Sequence, residues 1–216
     1  MKAGIIYVSS NREDPKFERK TRTDLLEKAG ELSIVAVTQK PIKLRDMDKN
    51  IVVGDVGASG FNFCRQVLMA CENSKADVVI SAESDCLYSP DYFDFRPEDM
   101  NIPYRNTNTY VQHYRNYHFF KKTGGTWSQV VGRKFYISRL RSLLKGQPRW
   151  NTEMKNFPKE IKKSLFKDFA YFTTKYPCLS FKTGKGMRYY TKSDRIPRTT
   201  LPYWGDTKKL IKEYLE

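Results

Sequence analysis

The sequence predicts an α/β protein built on a mixed, mostly parallel sheet flanked by helices. Three observations predict it. Short apolar runs alternate with helix-spaced segments through the first half of the chain. These runs are continuous rather than alternating, which suits strands covered on both faces. The fourth run, Asp77 to Ala82, leads into Glu83-Ser84-Asp85. The end of a parallel strand is where open α/β sheets take ligands.

Each element has its own justification. Gly4 to Ser9 is an apolar, β-rich run and reads as the first strand. Thr23 to Ala29 has Leu25, Leu26 and Ala29 on one helical side, with Gly30 as a stop signal. Ser33 to Thr38 is a second strand, and Ile51 to Val53 a short third one. Gly57-Ala58-Ser59-Gly60 opens a helix running from Phe61 to Asn73, before the strand Asp77 to Ala82. The second half is less regular. Tyr110 to Phe120 reads as extended and Thr126 to Gly132 as a strand. Arg133 to Leu144, Lys159 to Phe169 and Thr207 to Leu215 read as helices. No internal repeat or low-complexity linker divides the chain, so one domain over 1–216 is expected.

The 216 residues are 39% hydrophobic, enough for a sizeable core. No apolar stretch is long enough for a membrane span, and no signal-peptide pattern begins the chain. A cytoplasmic protein is therefore expected, in host cytoplasm if it is viral. Cys64, Cys71, Cys86 and Cys178 form no Cys-x-x-Cys pair and read as buried thiols. The charge is strongly divided. Residues 1–108 carry 15 Lys+Arg against 17 Asp+Glu, whereas residues 109–216 carry 24 against 7. A neutral half joined to a cationic half of net +17 points to a polyanionic partner.

Several familiar chemistries lack their residues. There is no Walker loop, no Gly-x-Gly-x-x-Gly and no Gly-x-Ser-x-Gly elbow. His113 and His118 are spaced poorly for a shared metal. Gly57 and Gly60 would let a phosphate or ribose approach a helix N-terminus, or simply form a turn. On an extended segment Glu83 and Asp85 point the same way. Two like charges so close repel, and a hard divalent ion, Mg²⁺ or Mn²⁺, would relieve that together with a diphosphate. The alternative is a solvated cap. As a strand-end side chain, Asp85 is expected to add little to packing.

Four segments carry a family resemblance: Ile5 to Asp14 ("IIYVSSNRED"), Val37 to Ile42 ("VTQKPI"), Asn50 to Leu68 and Ile80 to Phe95. In order and spacing they resemble small glycosyltransferase-A-type enzymes, whose fourth strand is followed by a run like Ala-Glu-x-Asp-x-Leu-Tyr-x-Pro. Residues Ala82 to Pro90 fit that run throughout, and Gly124 to Phe135 and Leu201 to Asp206 look like later segments. The resemblance implies a glycosyltransferase-A-like (Rossmann-like) fold, a nucleotide-sugar donor, UDP-glucose or another UDP-sugar, and Mn²⁺ or Mg²⁺. It implies that Asp85 ligates the metal and that Glu83 contacts the ribose, or the metal through water. Val8, Ser9, Ser10 and Asn11 would hold nucleoside and ribose, with Gly57 and Arg65 reaching the donor. Such enzymes often supply a late histidine to the metal, and none follows His118 here.

The expected activity is therefore metal-dependent sugar transfer to a hydroxyl. The cationic half points to DNA as acceptor, in the form of a hydroxymethylated base of bacteriophage DNA. The phosphate-contact candidates are Arg115, Lys121, Lys122, Arg133, Lys134, Arg139, Arg141, Arg188, Arg195 and Arg198. Tyr114, Tyr117, Trp127, Tyr189 and Tyr190 interleave with them and would stack on an extruded base. Trp127 and Trp204 are expected to meet the acceptor, and Trp204 with Tyr203 to form a wall that closes over donor or acceptor, or else to pack on the core. Asp168 and Asp206 are candidates for a general base, with no spacing to choose between them. A polysaccharide or lipid-linked acceptor, a nucleotidyltransferase and a non-enzymatic nucleic-acid-binding module are the alternatives.

Overall fold

The computed structural model describes residues 1–113, 116–152, 168–185 and 193–216. Its centre is a seven-stranded sheet of order β10-β6-β9-β4-β1-β2-β3. The strands are β1 (Ala3–Ser9), β2 (Ile34–Thr38), β3 (Lys49–Val52), β4 (Val78–Glu83), β6 (Tyr104–Asn106), β9 (Gln129–Gly132) and β10 (Ala170–Phe172). Strand β1 pairs in parallel with β2 and β4, and β2 with β3; only β9 runs antiparallel to its neighbours. The sheet is thus mixed and mostly parallel, as the continuous apolar runs predict.

Its two faces sort by residue parity. Ile5, Tyr7, Ile34, Ala36, Val78 and Ile80 enter one core with Leu25 and Ala29, at the end of α1 (Pro15–Lys28). Ile6, Val8, Val35, Val37, Val79 and Val131 enter the other. That second core is completed by α2 (Gly60–Asn73) and α3 (Arg133–Leu144), through Phe61, Val67, Cys71, Tyr136 and Leu140. All four cysteines are buried and free.

A second, four-stranded sheet of order β5-β11-β7-β8 grows from the end of β4. It comprises β5 (Cys86–Leu87), β7 (Thr109–His113), β8 (Phe119–Lys121) and β11 (Cys178–Lys182). Its core of Leu87, Phe119, Leu179 and Phe181 packs against Phe17 of α1 and against Leu210 and Tyr214 of α4 (Thr207–Leu215). A small hairpin, β12 (Thr200–Leu201) with β13 (Gly205–Asp206), precedes α4.

Several expectations need correction. Helix α1 begins at Pro15, not Thr23, because Asp14 caps it by accepting from Lys16 N and Phe17 N. Tyr110 to Phe120 is not one extended run; β7 and β8 pair antiparallel. The strand expected from Thr126 begins at Gln129. Most of the helix expected over Lys159 to Phe169 lies outside the described residues. Among the described residues, no helix is long and apolar enough to cross a membrane.

Candidate functional site

Because β1, β2, β3 and β4 run in one direction, their carboxyl ends meet at one edge. Ser9 lies opposite Thr38, and Val8 opposite Glu83. Val8 is core, and Ser10 begins the loop beyond β1. Asn11 adopts a left-handed φ of 51°, which asparagine tolerates. Its Oδ1 accepts from Gln39 N (2.9 Å) and Lys40 N (2.8 Å), and its Nδ2 donates to Glu18 Oε2 (2.9 Å). Asn11 thereby clips the β1 loop to the β2 loop. Ser9 Oγ lies 3.0 Å from Glu18 Oε1 and 3.1 Å from Ser84 Oγ, joining that loop to the turn after β4.

The stretch Glu83-Ser84-Asp85-Cys86 is a tight turn between β4 and β5, not a continued strand. Alternation along a strand therefore does not set the direction of Asp85. Instead, Glu83 N donates to Tyr88 Oη (2.9 Å), which donates to Trp127 O (2.9 Å) and fixes the end of β4. Asp85 O accepts from Phe181 N (2.8 Å), seating the turn on β11. Ser180 and Lys182 share one side of β11. Lys182 Nζ donates to Asp85 Oδ2 and to Ser180 Oγ, both at 2.7 Å. The pair is largely buried, with side-chain exposures of 13% for Lys182 and 19% for Asp85. Burial opposes the Lys182 charge most strongly, but Asp85, Cys86 and Glu83 together raise its pKa.

Two further carboxyls converge here that the sequence did not single out. Glu13 accepts from the Thr183 hydroxyl. Burial pushes its pKa up to about 7, against the pull of that hydrogen bond, and the Asp85 charge adds to the rise. Burial also raises Glu18, opposed by the hydrogen bonds from Asn11 and Ser9. His113, level with Lys182 on β7, is held down by burial and then by the charges of Lys182 and Lys122. The edge thus gathers several acids around one ammonium.

A divalent cation is implied at the Glu83–Asp85 turn by the resemblance. The residues do not fit that role as arranged. One Asp85 oxygen, Oδ2, is held at 2.7 Å by a largely buried ammonium, so a cation at this turn would sit against a fixed positive charge. Among the described residues, no three His, Cys, Asp or Glu side chains come together as a metal-holding group.

Other candidates fall elsewhere. Arg65 NH2 donates to Leu144 O, Gln147 O and Pro148 O, so its guanidinium closes the end of α3 rather than reaching the Gly57 loop. Gly57 has a φ of 76°, and an added Cβ would lie 2.3 Å from Thr152 Cγ2. The glycine is needed for the turn and for that close approach, and Ser59 caps α2 itself. Trp127 lies near the carboxyl edge, but its ring belongs to the core. Trp204 Nε1 donates to Pro177 O (2.6 Å), and Lys28 sits 4.2 Å over its ring. Pro177 precedes β11 and Lys182 ends it, so Trp204 and Tyr203 are a strand length from Asp85. Asp206 caps α4 through Lys208 N and Lys209 N, and exposed Asp168 precedes β10. Neither lies at the carboxyl edge.

The cations divide into groups. Arg133 Nε donates to Ala76 O (2.6 Å) at the amino edge, a structural bond. Lys134, Arg139 and Arg141 lie on the outer surface of α3, where Arg141 pairs with Glu72 (2.8 Å). Lys121, Lys122, Arg195 and Arg198 lie at or beside the β8 edge of the second sheet, where Arg198 pairs with Asp194 (2.9 Å). Arg115 and Arg188, with Tyr114, Tyr189 and Tyr190, lie outside the described residues. A depression of about 510 Å³ opens at the amino edge beside Lys2, Lys28 and Phe93. Chemistry rather than size marks the carboxyl edge: Glu13, Glu18 and Asp85 gather there near Lys182, whereas the depression is flanked by the largely buried pair Asp24–Lys28.

No protein-family model and no curated protein matches the sequence. Solved structures do resemble the chain. S. aureus TarS 1–349 in complex with UDP-GlcNAc has a TM-score of 0.50 at 11% identity, covering 89% of this chain and 62% of that one. The glycosyltransferase GlyE of Streptococcus pneumoniae TIGR4 has a TM-score of 0.49 at 14% identity, covering 81% and 45%. The bifunctional IspDF of Campylobacter jejuni has a TM-score of 0.48 at 13% identity, covering 81% and 49%. The chain thus spans about half the length of structures such as GlyE and IspDF. The fold it shares with TarS is glycosyltransferase-A-like.

Proposed function

We propose that the chain is a glycosyltransferase that moves a sugar from a nucleotide-sugar donor, a UDP-sugar, to a hydroxyl on DNA, specifically on a hydroxymethylated base. One observation carries the donor assignment. The β1 loop, the β4 turn and the end of β11 bring Ser9, Asn11, Glu13, Asp85 and Lys182 to one carboxyl edge of a glycosyltransferase-A-like sheet. That is the edge where such sheets bind nucleotides. The TarS structure of the same fold holds UDP-GlcNAc, which supports the donor class.

In this reading residues 1–108 supply most of the donor site, β11 of the basic half closes it through Lys182, and the rest of 109–216 serves the acceptor, all within a single unit. In the reaction the acceptor oxygen attacks the anomeric carbon and the bond to the diphosphate oxygen breaks. The nucleoside diphosphate leaves with the electron pair, and the hydroxyl proton passes to a base. The protein supplies orientation and fixed charge. The metal dependence expected from the resemblance is not carried into this reading, because Lys182 already holds Asp85. The net +17 of residues 109–216 supports a polyanionic acceptor.

The test offers radiolabelled nucleotide sugars to hydroxymethylated DNA, unmodified DNA, free nucleosides and lipid-linked acceptors. Label on hydroxymethylated DNA, with release of nucleoside diphosphate, is the expected result. Label only on lipid or sugar refutes the DNA acceptor and keeps the transferase. Release of pyrophosphate makes the chain a nucleotidyltransferase instead.

A further inference from the structure

We propose that the Lys182 ammonium is the cation that binds the donor diphosphate, so that this site takes its nucleotide without a divalent metal. The inference rests on the donor reading above. An ammonium has three N–H donors and no acceptor. Two of them are spent, on Asp85 Oδ2 and Ser180 Oγ at 2.7 Å each. Among the described residues nothing takes the third. The Asp85 and Ser180 bonds fix the nitrogen in place, so a ligand oxygen would meet a charge already positioned. The chain ends that surround it belong to the edge where the diphosphate is expected.

Placement distinguishes Lys182 from the other cations of the basic half. Its side chain is 13% exposed, whereas Lys121, Lys134, Arg139 and Arg195 are solvated surface residues. A largely buried charge is screened little by salt and acts strongly on a neighbouring anion. Thr183, the next residue, holds Glu13, so the end of β11 is tied to the β1 loop as well as to the β4 turn. In the transfer step the ammonium keeps its proton. It donates a hydrogen bond to a diphosphate oxygen while the C–O bond to the sugar breaks and the electron pair leaves with the diphosphate. No oxidant, metal or further co-reactant is needed for this step to balance.

The test is calorimetric titration of the wild-type protein with UDP, GDP, CDP, ADP and the matching monophosphates. It is run once in EDTA and once in Mn²⁺. One diphosphate is expected to bind in EDTA, and to bind about tenfold or more tighter than its monophosphate, as one added charge-assisted hydrogen bond gives. Lys182→Met should erase that preference, Mn²⁺ should not restore it, and Lys121→Gln, on the exposed β8 edge, should keep it in full. Diphosphate binding only in Mn²⁺, or a full preference retained by Lys182→Met, overturns the role of Lys182 and leaves the donor reading standing. Binding of no nucleotide in either buffer overturns the donor reading itself. If Lys182→Met does not fold, the wild-type comparison of EDTA with Mn²⁺ still decides.

Discussion

Asp85→Asn should destabilise the fold, contrary to what a strand-end position suggests. The substitution removes the charge that balances the largely buried Lys182 ammonium and leaves it only neutral oxygens, those of the new amide and of Ser180, as partners. Breaking a fully buried ion pair by removing one partner costs about 3–5 kcal/mol. Exposures of 13% and 19% relax that toward the lower figure, about 3 kcal/mol. For a chain of this length the melting temperature should fall by about 6–12 °C. Lys182→Met alone should cost a similar amount, because it strands the carboxylate. The double variant removes both charges, so the two losses should not add. Urea denaturation of the four proteins at neutral pH gives the coupling, expected at about 2–3 kcal/mol. A coupling below about 0.5 kcal/mol would refute the reasoning, since the pair would then behave as a solvated surface bridge.

Glu13 gives a pH signature. Its folded pKa is lifted from 4.5 to about 7, so the folded state favours the protonated acid. Its stabilising contribution is complete below 4.5 and is lost as the pH rises through 7. Denaturation midpoints between those values should fall less steeply with pH in Glu13→Gln; an unchanged slope counts against the shift. With Trp127 and Trp150 replaced by Phe, Trp204 fluorescence should not respond to donor, because Trp204 sits at the Pro177 end of β11. Any sizeable response places the β12–β13 hairpin at the site after all. Arg133→Gln should lower stability by about 1–3 kcal/mol through the lost bond to the buried Ala76 carbonyl, with DNA affinity unchanged. Lys121→Gln should instead leave stability alone and reduce the log–log salt slope for DNA by about one.

The sheet was legible because its strands are apolar runs. Ile5 to Val8, Ile34 to Val37 and Val78 to Ala82 are buried on both faces, so local composition alone marks them. The first turns of α1 were missed because "PKFERKTR" is charged, with Phe17 its only large apolar side chain, although Asp14 and Pro15 mark a helix start. Strand β11 was missed because Cys178 to Lys182 is short and lies in a basic segment without clear periodicity. That omission hid the centre of the site. Lys182 reaches Asp85 across 97 residues of chain, and no local pattern encodes such a contact. Glu13 stood within the stretch that carried the family resemblance, yet its burial depends on Thr183, 170 residues away. Trp204 and Asp206 were misplaced for the converse reason. Their turn-rich surroundings look like a site wall, but packing of α4 on α1 takes that hairpin to the opposite edge.

The most direct test of the central claim, a nucleotide-sugar site at the carboxyl edge, is thermal stabilisation by a panel of nucleotide sugars. At 100 times its Kd a ligand adds about 2.7 kcal/mol, so one donor, a UDP-sugar, should raise the melting temperature by about 5–10 °C in wild type. Ser9→Trp, which fills the junction between the β1 loop and the β4 turn, should abolish that rise. No shift with any nucleotide sugar, or an equal shift in Ser9→Trp, would contradict the account.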